Sequence, residues 1–291
     1  MQEGRPSRTA EYMALFRALE DVRPERARLF SDPLAREFLS PPLRLVVHLA
    51  RVPGLADLAC RFIDRRWPGV RTSAVARTRF IDDRVDRSVA RGIRQVVMLG
   101  AGFDARAYRL PSLRDCIVFE VDHPDTQARK RRLLDESRLQ LPATVRFVPT
   151  DFQDGNLEAA MAAAGYDAAA RSLFVWEGVT NYLSASAVDA TLRWCARSAP
   201  GSEIIFTYIH HRVLEDPGSF HGTEHVLQTL AAEGERWTFG IDPALLAGYL
   251  QERGLRLVED VGAADYRALH YGAAAAAMTG YEFYRIARAE V

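Results

Sequence analysis

Four carboxylates stand just beyond apolar runs: Asp104 in "LGAGFDARAYRL", Asp122 in "FEVDHP", Asp151 in "VPTDFQD" and Glu177 in "FVWEGVTNYL". The first follows a glycine turn, Gly100-Ala101-Gly102, and residues 100–105 satisfy the spacing G-x-G-x-x-G/A. Glycines at such a turn let the backbone approach a ligand, and an acid about twenty residues on accepts ribose hydroxyls. The chemistry these residues suit is the binding of a nucleotide-like cofactor. A tight strand-to-helix turn with no ligand fits the glycines alone equally well.

Two features separate the possible cofactors. A dinucleotide needs an anion-friendly helix start for its pyrophosphate, and Asp104 inside the loop would repel it. S-adenosyl-L-methionine has no phosphate; its ammonium and sulfonium suit an acidic loop. The remaining acids also fall at the carboxyl ends of later strands, so Asp122, Asp151 and Glu177 are expected to share one crevice. A nicotinamide-dependent oxidoreductase remains the alternative enzyme class.

A second group of reactive side chains lies further on. His210, His211, His221 and His225 fall within sixteen residues, more than half of the chain's 7 histidines. His221 and His225 have i, i+4 spacing, but no carboxylate or cysteine completes a metal signature, and no metal is expected. Surface or capping roles in a lid compete with substrate contact or base catalysis. His210 and His211 directly follow a strand and are the favoured bases, with Tyr182 and Tyr208 as groups that could orient an acceptor.

The elements that must position these residues read clearly in places. Residues 1–92 read as helical, with Tyr12, Leu15, Phe16 and Leu19 on one face and Val75, Thr78, Ile81, Val85 and Val89 forming a second stripe. In "SDPLAREFL", Ser31 or Asp32 is placed to cap a turn beginning with Pro33. After Gly92 short β-rich runs at 96–99, 117–121, 145–148, 173–176 and 203–208 alternate with helical stretches near 124–138, 157–164 and 187–198. That alternation predicts a doubly wound, mostly parallel sheet. "LRLVEDVG" and "YEFYRIAR" add two late strands, and 210–237 reads as an irregular lid insertion. The run 129–132 reads as a solvated helix face, and "YGAAAAAM" as a short helix or loop.

Composition bounds the function. The 291 residues carry 38 basic and 38 acidic side chains, so a broad footprint for nucleic acid is not indicated. Lys130 is the sole lysine. Cys60, Cys116 and Cys195 are odd in number and lack metal spacing, consistent with buried thiols in a reducing compartment. The first residues have no apolar h-region, and no stretch approaches a membrane span. A cytoplasmic enzyme is expected, with a small-molecule acceptor and with neither nucleic acid nor membrane as partner; oligomeric state is not legible.

"VVMLGAGFDARAYRL", "FEVDHP", "TDF" and "EGVTNYL", in this order and spacing, resemble the leucine carboxyl methyltransferase family, which includes bacterial S-adenosyl-L-methionine-dependent O-methyltransferases of small metabolites. "VARTRFIDD" resembles that family's arginine-bearing segment, and the likeness runs over roughly residues 10–210. The resemblance implies a class I, Rossmann-like fold with seven strands and a terminal hairpin, a helical cap over 1–92 and a cofactor-binding core over 93–291. It further implies that Arg77 pairs with the cofactor carboxylate, with Arg79 as the alternative. Gly100, Ala101, Gly102 and Asp104 would line the methionine portion, and Asp122 would take the ribose. Asp151 and Phe152 would hold the adenine, and Glu177 would face the ammonium or sulfonium. Phe152 and Ala105 depart from the family's commoner leucine and threonine. The lid does not match eukaryotic members that methylate a protein C-terminus, so that substrate is not carried over. The implied activity is methyl transfer to a carboxylate or hydroxyl, with specialised metabolism as the setting. Cofactor binding for regulation, or a non-methylating reaction such as cyclisation, are further alternatives.

Overall fold

The computed structural model describes residues 8–52, 54–137, 141–153 and 156–291. Four helices come first: α1 (Arg8–Asp21), α2 (Pro41–Leu49), α3 (Leu55–Arg66) and α4 (Val70–Ala90). The core then runs β1 (Gln95–Leu99), α5 (Arg106–Arg109), β2 (Ile117–Asp122), α6 (Pro124–Glu136), β3 (Val145–Pro149), α7 (Leu157–Ala163), β4 (Ser172–Trp176), α8 (Ala185–Cys195) and β5 (Glu203–Ile209). It closes with α9 (Arg212–Glu215), α10 (Thr223–Ala232), α11 (Leu246–Gln251), β6 (Arg256–Gly262), α12 (Ala263–Tyr271) and β7 (Tyr284–Glu290).

The seven strands form one sheet in the order β3-β2-β1-β4-β5-β7-β6. The pairs from β3 through β5 are parallel, and β7 runs antiparallel to both β5 and β6. Every residue of β1, β4 and β5 is buried, as expected for strands covered by helices on both faces. This is why they read in sequence as continuous apolar runs. Strand order reverses between β1 and β4, so the crevice at their carboxyl ends is the expected ligand position.

The stripe on α4 is core: Val75, Ile81, Val85 and Val89 are buried, and Gly92 ends the helix region at φ 95°. The cap is tied to the glycine loop. Phe38 stacks on Phe103 with centroids 5.1 Å apart, and Arg17 donates to the Phe103 carbonyl at 2.6 Å. Asp32 accepts the Ala35 amide at 3.1 Å and so braces the turn ahead of the short helix Ala35–Phe38, whose N-cap is Leu34 and not the expected Ser31 or Asp32.

Three further expectations need correction. The stretch 210–237 is not irregular; it contains α9 and the ten-residue α10. The run 129–132 is not simply a solvated face, because Lys130 is buried and donates to Glu120 at 2.9 Å and to the Asp104 carbonyl at 2.6 Å. Helix α6 ends at Glu136, and Arg138, the expected end, lies outside the described residues. Cys60, Cys116 and Cys195 are buried free thiols.

Candidate active site

The turn after β1 is shaped by its glycines. The Gly100 and Ala101 amides both donate to the Val121 carbonyl of β2, at 2.8 and 2.9 Å. Gly100 has φ 68°, and a Cβ there would lie 2.4 Å from Val179. The turn therefore packs directly on the segment that follows Glu177, which no other residue type would permit. Gly102, at φ 39°, is less crowded: a Cβ there would meet the Gly100 carbonyl at 3.8 Å and the Asp122 carboxylate at 4.0 Å, ordinary contact distances.

Asp122 ends β2 and clasps this loop. Its carboxylate accepts the Gly102 amide through Oδ2 and the His123 amide through Oδ1 at 2.6 Å. Burial pushes its pKa up, and the two amide bonds only partly oppose that. The loop is held from behind as well. Lys130, reaching from α6, links Glu120 in the middle of β2 to the carbonyl of Asp104.

Asp104 does not stand bare in the loop. Its side chain accepts the Arg106 amide at 2.8 Å and pairs with the Arg106 guanidinium. Burial works to raise its pKa, but Arg106, with Lys130 behind it, brings it down to about 2. Arg106 is 2 % exposed and is the hub of a chain of ion pairs. It meets Asp82 of α4 at 2.7 Å and Glu177 at 2.8 Å. Glu177 meets Arg77 of α4 at 2.7 Å, Asp82 meets Arg109 at 2.8 Å, and Asp32 joins Arg109 to Arg17 at 3.6 and 2.9 Å. Four acids and four arginines thus alternate from α1 to the end of β4. Burial opposes ionisation of Glu177, yet Arg106 and Arg77 hold its pKa below the ordinary glutamate value.

The α4 register distinguishes the two candidate arginines. Arg77 is buried toward Glu177 and lies 4.8 Å from the Tyr284 ring centroid, while Arg79 pairs with Asp83 on the outer face. Asp151 and Phe152 follow β3. The Asp151 carboxylate accepts the Gln153 amide at 2.9 Å, and Phe152 lies 6.1 Å from the Trp176 ring. Gly100, Gly102, Asp122 and Glu177 therefore flank the switch between β1 and β4, with Asp151 and Phe152 one strand further out.

The proposed acceptor-side residues separate. Tyr182 sits beside Thr9, Glu235, Trp237 and Tyr284, where burial raises its pKa. Tyr208 is fully buried and turned to the antiparallel edge, donating to Asp260 at 2.9 Å and accepting from Arg285 at 3.1 Å. His210 lies tilted against Phe220, with ring centroids 5.2 Å apart, and accepts the Arg212 amide at 3.2 Å. His211 faces Glu215 at 3.2 Å. His221 precedes α10, so it does not share a helical face with His225.

Sequence reasoning left Arg106, Arg109 and Asp82 without roles, although both arginines follow the loop. Asn181 was also missed; it is buried, and its Nδ2 has no hydrogen-bond partner among the described residues.

The leucine carboxyl methyltransferase pattern matches residues 10–196. The chain belongs to this family. A Frankia alni protein named for S-adenosyl-L-methionine-dependent methyltransferase activity is 39% identical over 208 residues, covering 71% of this chain and 70% of that protein. A Streptomyces coelicolor protein of the same description is 37% identical, covering 71% and 70%. The fold agrees with a solved structure from Thermobifida fusca described as a methyltransferase, at TM-score 0.60 and 18% identity, covering 96% of this chain and 93% of that one. As a family member the chain is an S-adenosyl-L-methionine-dependent methyltransferase.

The donor set fits that cofactor. The Gly102 turn lies against the Asp122 carboxylate, which suits ribose, and an arginine beside a glutamate complements an amino acid's carboxylate and ammonium. Arg106 adds a buried Nη2 with no hydrogen-bond partner among the described residues.

Proposed function

We propose that the enzyme transfers a methyl group to a carboxylate oxygen of a small organic acid. The observation that supports the cofactor side of the reading is the juxtaposition, at the β1/β4 switch, of the Asp122-clasped glycine loop with the Arg77–Glu177 pair. Asp122 would accept the ribose hydroxyls, Asp151 the adenine amino group, and Phe152 would flank the base. Arg77 would hold the cofactor carboxylate and Glu177 its ammonium, with Gly100, Ala101 and Gly102 along the methionine chain. Asp104 would act through Arg106, fixing the guanidinium that steadies Glu177.

When bound, the cofactor supplies an electrophilic methyl on a sulfonium. The protein's own work is then alignment and exclusion of water, worth about 7–11 kcal/mol in the best intramolecular cases. Tyr182, beside Thr9 and Trp237, would orient the acceptor. A carboxylate is already ionised at neutral pH and needs no base. This accords with the partners of His211 and Tyr208, which lie on Glu215 and on Asp260 and Arg285 rather than on Glu177.

One observation favours a hydroxyl acceptor instead. His210 directly follows β5, and burial shifts its pKa down, toward the neutral imidazole that a base requires. A labelled-methyl assay on a cell extract separates the readings, because a methyl ester is cleaved by mild alkali and a methyl ether is not. Alkali-labile label supports the carboxylate. Alkali-stable label, with turnover lost in His210→Ala, replaces it with the hydroxyl, and no label with any acceptor removes both.

A further inference from the structure

Helix α2 packs against α1 and α3, and α3 packs against α4; both are apolar on both sides. Val47, Ala50, Ala56, Cys60 and Ile63 face the cap core. The outer face carries Leu45, Val46, Leu49, Val52, Leu55, Leu58 and Phe62. These are seven of the nine large hydrophobic residues exposed among the described residues, so apolar exposure is concentrated here. Leu58 is 57% exposed and Phe62 66%. An apolar patch of this kind on a folded protein marks an interaction surface.

The charges around it are one-sided. Arg51, Arg61, Arg65 and Arg66 are exposed between residues 41 and 66, with Arg44 drawn to Glu37, against Asp57 as the sole exposed acid. Asp64 is spent on Arg71, 2.6 Å away. The excess is local, since the whole chain has no net charge. A second copy in a two-fold arrangement would set these arginines against themselves. An anionic lipid surface complements both features. Leucine and phenylalanine side chains enter the headgroup boundary while guanidinium groups pair with phosphates. Trp67, under the Arg66 guanidinium at 5.3 Å, sits at the edge of this face.

We propose that the α2–α3 face docks the enzyme peripherally on an anionic lipid surface. The expectation of no membrane partner rests on the lack of a spanning segment. Among the described residues no helix is long and apolar enough to cross a membrane, and a helical pair lying on the surface needs no span. Because α3 leads directly into α4, which carries Arg77, docking sets the cap of the active site against the bilayer.

The test is co-sedimentation of the full chain with phosphatidylcholine vesicles, with and without phosphatidylglycerol. Binding is expected only with the anionic lipid, and it weakens as salt is raised. Arg61→Glu with Arg65→Glu should reduce it by more than about tenfold, given the roughly 1 kcal/mol that each basic residue contributes at such a surface. Leu58→Asp with Phe62→Asp should abolish it. Both variants replace exposed side chains, so an unchanged unfolding midpoint and unchanged calorimetric cofactor binding establish that the fold is intact. No sedimentation with either vesicle overturns the proposal. So does binding that neither variant weakens, or a dimer in sedimentation velocity that Phe62→Asp dissociates while vesicles are ignored.

Discussion

At the strand ends, charges find partners far along the chain: Arg77 meets Glu177, 100 residues away, and Arg106 meets Asp82, 24 residues back. In the segment 210–237 two histidines pair with near neighbours: His211 with Glu215 and His210 with the Arg212 amide. The first set exists only once the cap, the sheet and the glycine loop have assembled. The second joins side chains to partners two and four residues away. A ligand that needs fixed groups within a fraction of an ångström is served by the first kind. The comparison teaches that long-range fixed geometry is concentrated at the β1/β4 switch, while the histidines of 210–237 have short-range side-chain partners.

The largest effect expected from breaking this contrast is on stability. Arg106→Ala leaves Asp82, Asp104 and Glu177 buried around a missing cation, which should cost about 3–5 kcal/mol in denaturant unfolding. Next, Glu177→Gln removes a charge but keeps the shape. Its loss of cofactor affinity should be about 1.5–3 kcal/mol by calorimetry, the range for a hydrogen bond to a charged group.

The third prediction concerns pH. Asp122 has a raised pKa, so cofactor affinity should fall on acidification at a pH above the ordinary 3.8 of aspartate, and Asp122→Asn should remove that step. Asp104, depressed to about 2, stays ionised there; its stabilising contribution is complete above about 3.8 and is lost only as pH falls toward 2. An affinity loss that coincides with unfolding would contradict this separation. Smallest of all, His211→Ala should change unfolding free energy by less than about 0.5 kcal/mol, as expected for an exposed side chain with a local partner.

Much of this was legible in the sequence. Strands β1, β2, β4 and β5 are buried on both faces, so their apolar runs stand out, and an acid at the end of such a run signals a crevice. The ion-pair hub was not legible. Arginine is abundant throughout the chain, and nothing in the spacing marks Arg106 as the one that turns inward. Lys130 was hidden for a related reason: inside a run of four basic residues it looks solvated, yet helical rotation turns it toward Glu120. The outer faces of α2 and α3 were missed because apolar residues at helical spacing read as core, and sequence period does not say which side is covered.

The central claim is that the Asp122-clasped loop and the Arg77–Glu177 pair form one S-adenosyl-L-methionine site. Titration calorimetry of the chain and of Asp122→Asn with S-adenosyl-L-methionine, run beside a nicotinamide dinucleotide, tests it most directly. The account predicts one cofactor per chain, clear weakening in the variant and no heat from the dinucleotide. Binding of the dinucleotide alone, or S-adenosyl-L-methionine binding that the variant leaves unchanged, would contradict it.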